Sequence, residues 1–102
     1  MKVVDSDNWS WFLFEHEGYL YLDANCNISA LGYTYMIKLN EEELEAYRNS
    51  GREYLDKLAH DIHHSVPIAK DTNSIYKDRD VSNELSKPAT EAVHVWRNNS
   101  DG

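Results

Sequence analysis

Apolar residues follow two different rhythms along this chain. In the first 39 residues they come as short dense runs. Trp9-Ser10-Trp11-Phe12-Leu13-Phe14 has the length and aromatic content of a strand, over about 9–14. Glu15-His16-Glu17-Gly18 supplies a turn ending in glycine, and Tyr19-Leu20-Tyr21-Leu22-Asp23-Ala24 reads as the returning strand, about 19–24. Two aromatic-rich runs joined by a short glycine-containing loop predict a hairpin. Asn25 to Gly32 is turn-like. A third strand over about 33–39 places Tyr33, Tyr35, Ile37 and Leu39 on one face and Thr34, Met36 and Lys38 on the other. The first two strands are apolar on both faces, so this meander needs two covers.

From residue 40 the rhythm becomes helical. Asn40 is a preferred N-cap, and Glu43 three residues later completes a capping box. Leu39 and Leu44 occupy the two positions of a hydrophobic staple. Glu41, Glu42 and Glu43 place negative charge at the positive end of the helix dipole. At about 100° per residue, Leu44, Tyr47, Gly51, Tyr54, Leu55, Leu58 and Ile62 form one stripe. The stripe keeps phase through Asn49-Ser50-Gly51 and predicts one helix over about 41–64; two helices broken at Gly51 are the alternative. Pro67 ends it, because the residue before a proline is pushed out of helical conformation.

Residues 65–87 read as a long loop, with a short helical turn near Val81 to Leu85. Pro88 suits a first helical position. Ala89, Ala92, Val93 and Trp96 follow with helical spacing and predict a short helix over about 88–98 that covers the second sheet face. The fold expected is α+β: a single domain over 1–102, with a three-stranded antiparallel meander packed by one long helix and closed by a short C-terminal one.

Charge narrows the function more than the pattern does. The chain holds 10 Lys and Arg against 18 Asp and Glu, a formal charge of −8. The excess is −3 over residues 1–40, −4 over 41–64 and −1 over 65–102. Such a chain is ill suited to nucleic-acid phosphates or anionic lipid surfaces, which demand clustered Lys and Arg. No apolar run approaches the roughly 20 residues that span a bilayer. Met1-Lys2-Val3-Val4-Asp5 meets acid at once and does not read as a signal peptide. One cysteine, Cys26, cannot form an internal disulfide. A cytoplasmic setting is expected, and the three Asn-x-Ser matches at Asn8, Asn27 and Asn98 are read as chance.

Candidate chemistry is sparse. His60 and His64 stand i, i+4 around Asp61, as in helical zinc sites, but no third ligand declares itself. Both lie opposite the apolar stripe and face solvent, where the helix dipole favours them. Cys26 has no neighbouring base and reads as a small buried residue. The serines lack a nucleophile elbow, and no glycine-rich loop cradles phosphate. No cofactor, metal site or catalytic set is assigned. The aromatic hairpin reads as a two-sided core, the alternative being Trp9, Trp11 or Tyr21 partly exposed as an interface anchor.

With its aromatic run Trp9–Asp23, its capped helix Asn40–Ile62 and its acidity, the chain resembles in type the small immunity proteins of bacterial contact-dependent growth inhibition and other polymorphic toxin systems. The resemblance implies a non-enzymatic inhibitor that binds a cognate toxin domain. Many such toxins are nucleases with basic surfaces, which an acidic inhibitor covers. The C-terminal third, nearly balanced in charge, departs from that pattern. The contacts expected are acids on loops and edges: Glu15, Glu17, Asp23, Asp71, Asp78 and Asp80, with Tyr76 as an anchor. The partner expected is a basic protein rather than nucleic acid or membrane, and the chain itself a monomer or weak dimer. Two other readings stand beside it: a small metal-dependent hydrolase using His60 and His64, and a homodimerising adaptor domain.

Overall fold

The computed structural model describes residues 1–7, 10–28, 31–65, 67, 69 and 72–100, and the side chains of all of these except 27, 28, 31 and 100. The order of elements is β1 (Lys2–Asp7), β2 (Trp11–His16), β3 (Tyr19–Ile28), β4 (Leu31–Lys38), α1 (Glu41–Ser50), α2 (Arg52–Ser65) and α3 (Ser82–Ser100). The strands form one antiparallel sheet in the order β1-β2-β3-β4. The fold is α+β as expected, with four strands and three helices among the described residues in place of three strands and two helices.

β1 is the strand the pattern does not announce. It is an edge strand, paired only with β2, and its alternation is blurred by Asp5 and Asp7. Its register slips between Val3↔Phe14 and Asp5↔Leu13, so Val4 is an extra, exposed residue. What holds β1 is remote in sequence. The Arg52 guanidinium donates to Asp5 Oδ1 at 2.6 Å and to the Ser6 carbonyl at 2.9 Å, and lies 3.4 Å from Asp7 Oδ1. Asp56, one turn after Arg52, accepts from the Trp11 indole N–H at 2.8 Å, and Lys57 pairs with Asp61.

The β2–β3 turn is shorter than expected. Pairing runs on through Glu15↔Leu20 and His16↔Tyr19, leaving only Glu17 and Gly18 at the tip. Both have positive φ, 53° and 85°, the backbone of a two-residue hairpin turn matched to strand twist. β3 and β4 then pair from Tyr21↔Lys38 to Ile28↔Leu31, well beyond the strand ends expected.

The capping box at Asn40 forms in both directions, each hydrogen bond being 2.9 Å. The single long helix does not: it breaks at Gly51, whose φ of 62° and ψ of −136° leave the helical region. A side chain would be strained there, and glycine lets the stripe continue in phase on a second axis. α3 differs most. It begins at Ser82, six residues before Pro88, and carries the proline inside. Val81, Leu85, Ala89, Ala92, Val93 and Trp96 make one continuous stripe across it. Pro88 has no N–H to donate to the Glu84 carbonyl, a local loss that this stripe outweighs.

The expectation of two covers is met. One face presents Trp11, Leu13, Leu22, Ala24, Cys26, Tyr35 and Ile37 to Leu55, Leu58, Ala59 and Ile62 of α2. The other presents Val3, Phe12, Phe14, Tyr21 and Met36 to Leu85, Ala89, Ala92 and Val93 of α3. The free edge of β4 is closed by the chain entering α3. Val81 N–H donates to the Met36 carbonyl at 2.8 Å, while Met36 N–H reaches Asp80 Oδ1 and Ser82 Oγ at 3.1 and 3.0 Å.

Candidate functional site

Two places on this scaffold gather polar side chains. The first is the end of the sheet where β2 turns into β3 and β4 runs into α1. Leu39 N–H donates to the Leu20 carbonyl, which sets the hairpin tip beside the start of α1. Arg79 joins the segment before α3 to the same end. Its guanidinium holds both carboxylate oxygens of buried Glu43, at 2.9 and 2.6 Å, and the Lys38 carbonyl at 2.7 Å. Glu15, Glu17, Glu41, Glu42 and Asp78 are thereby collected at one end, all exposed. Among the described residues none has an ion-pair partner closer than the 3.9 Å between Glu17 and His16. Lys2 and Lys77 share this end. Lys38 does too, but its ammonium sits 3.5 Å above the ring of half-exposed Tyr19 rather than on a carboxylate.

The second place is a cleft of about 550 Å³ between the second sheet face and one side of α3. Its floor is the cross-strand row Phe12–Asp23–Met36, and Asn25 and Thr34 continue it. Its wall is the polar side of α3, where Asn83, Ser86, Thr90, His94 and Arg97 recur every three or four residues. Asp23 is the unusual member. Its Oδ1 is shut off from solvent and has no hydrogen-bond partner. Burial, and then the charge of Asp80, push its carboxyl up to about 6 from the ordinary 3.8. Asp80 itself is engaged, accepting from Met36 N–H, Ser82 N–H and the Ser82 hydroxyl.

The seven expected contact residues therefore divide. Glu15, Glu17 and Asp78 lie together at the sheet end, with Glu41 and Glu42, which the sequence showed only as helix-dipole partners. Asp23 and Asp80 belong to the cleft and its rim; Asp80 is a structural acceptor rather than a free surface acid. Tyr76 is corrected outright: it is buried, with 6 % of its surface exposed, and its carbonyl accepts from the Tyr35 hydroxyl at 2.8 Å. It belongs to the first core instead. Asp71 and Trp9 lie outside the described residues. Trp11 and Tyr21 are buried and serve the core.

His60 and His64 are exposed on α2 with ring centroids 4.0 Å apart, and His63 lies 5.3 Å from His64. Among the described residues no group of three or more His, Cys, Asp and Glu is placed to hold a metal ion. Cys26 is buried, and burial raises its thiol pKa, so the reactive thiolate is disfavoured. No described helix is long and apolar enough to cross a membrane. No protein-family model, curated protein or solved structure matches the chain.

Proposed function

We propose that this protein is a non-enzymatic, cytoplasmic immunity-type inhibitor that binds a cognate bacterial toxin domain, a nuclease or another enzyme with a basic surface, as a monomer or weak dimer. The observation that carries this reading is the gathering of Glu15, Glu17, Glu41, Glu42 and Asp78 at one end of the sheet, where among the described residues the one ion-pair contact they make is the long 3.9 Å approach of Glu17 to His16. Carboxylates left unneutralised on rigid elements raise the rate of encounter with a basic surface and select against acidic ones. Tyr19 beside them supplies an aromatic contact of the kind that prolongs a complex.

The test is co-expression with the toxin domain encoded in the adjoining reading frame. Growth should be restored by this chain and lost again with Glu15→Lys, Glu17→Lys, Glu41→Lys and Glu42→Lys combined, a variant whose circular dichroism stays that of the parent. In a purified pair, added salt should slow association far more than it speeds dissociation. Full protection by the charge-reversed variant would remove the acidic end from the mechanism; no protection by the parent would remove the inhibitor reading.

A further inference from the structure

The cleft beside α3 is not explained by the acidic end, and its central feature works against stability. Asp23 is a carboxylate with one oxygen sealed from water and unbonded, near a second carboxylate, Asp80. Buried polar atoms are nearly always satisfied. No cation lies within ion-pair distance of Asp23 among the described residues. Arg97 lines the same cleft without forming a pair with it. An asparagine or threonine would serve the fold better at this position. Residues that break a folding rule with no local gain are those most often kept for a ligand.

The surroundings define the ligand's chemistry. Phe12 and Met36 flank Asp23 across the register, so an aromatic ring, itself packed against Phe14 and Trp96, and a thioether lie to either side of the anion. Hydroxyls of Thr34, Ser86 and Thr90 line the cleft. A flat cation satisfies these demands together: its edge donates N–H to a carboxylate oxygen and its face lies against an aromatic ring. Volumes of about 300–1,000 Å³ are those of small-molecule sites, and this cleft falls inside that range.

We propose that the cleft between β2–β4 and α3 is a binding site for a planar guanidinium- or amidinium-type cation, with Asp23 as its counter-ion and Phe12 as its stacking surface. The site is independent of the acidic end, which lies at the end of the sheet and uses other residues. Its ligand chemistry has two sources, a free small amine or an arginine side chain carried by a protein.

The probe is benzamidine, titrated into isotopically labelled full-length chain at about pH 7.5, where Asp23 is ionised, and followed by amide chemical shifts. Neutral benzamide is the isosteric control. Saturable shifts should centre on Phe12, Asp23, Thr34, Thr90 and His94. Affinity should fall about tenfold or more for benzamide and for Asp23→Asn, which removes one charge-assisted contact. The Asp23→Asn spectrum reports whether that variant is folded, and Phe12→Leu, which keeps an apolar side chain, should weaken binding without abolishing it. Agmatine and N-acetyl-argininamide then separate the sources: preference for agmatine assigns a free amine, and preference for the blocked arginine assigns a protein side chain. Absence of saturation, or equal binding of benzamidine by parent and Asp23→Asn, overturns the site.

Discussion

Leu22 and Asp23 are neighbours on β3 and point into opposite halves of the molecule. Leu22 enters a face closed by α2, where Trp11, Leu13, Leu22, Ala24, Ile37, Leu55 and Ile62 are all essentially inaccessible. Asp23 enters the face crossed by α3, where the aromatic row is only partly roofed and a cleft remains. One face is built to hold the fold; the other keeps room and an unsatisfied charge. Adjacent residues on one strand should therefore respond to truncation with opposite signs.

The largest effect expected is on the closed face. Leu22→Ala should destabilise the protein by about 3–4 kcal/mol in urea denaturation, since a sealed site cannot collapse around the void. A loss below about 1 kcal/mol would mean that this face is looser than its burial implies. Next comes the tie between the faces' common end and the chain entering α3. Arg79→Ala leaves Glu43 buried without its cation and should cost about 2 kcal/mol, less than a fully enclosed pair because the guanidinium is partly solvated.

The open face should show the reverse. Asp23→Asn is expected to stabilise the protein by about 2 kcal/mol near neutrality. The sign follows from proton binding. With its carboxyl raised to about 6, the native chain holds a proton on Asp23 at pH values where the unfolded chain, at 3.8, has released it. Stability from this group is complete below the unfolded value and is lost as pH rises through about 6. The gain on Asp23→Asn should thus be largest above pH 6 and vanish near pH 4; a constant gain across that range would sink the assignment. Smaller still, Asn40→Ala should cost about 1 kcal/mol by removing half of the capping box. Glu41→Lys should change stability by no more than about 0.5 kcal/mol, because its role at the α1 start is electrostatic and solvent-screened.

The closed face was legible in the sequence because its signals are local and redundant. The aromatic hairpin, the Asn40–Glu43 box and the stripe from Leu44 to Ile62 all agree, and glycine at residue 51 marked where the stripe could bend. The open face was not legible, for identifiable reasons. Pro88 read as a helix start, and only the stripe running back to Val81 shows that α3 tolerates it inside. With α3 shortened, the polar series from Asn83 to Arg97 had no common side and the cleft had no wall. Asp23 itself looks like any strand-end acid until β3 is known to run on to Ile28. β1 went unseen because its anchor, Arg52, is 47 residues from Asp5 and no window along the chain contains both. A separation of 41 residues likewise hid the place of Tyr76, whose partner is Tyr35.

Arg52 also orders events during synthesis. β1 is made before the rest of its sheet, yet the guanidinium that fastens it opens α2, after β2, β3, β4 and α1. Its hairpin partner β2 follows within a few residues, so the strand can pair early, but it stays tethered on one side only until translation has passed Gly51. β1 is therefore made well before it is secured, and a nascent chain halted before residue 52 would carry it half-fastened.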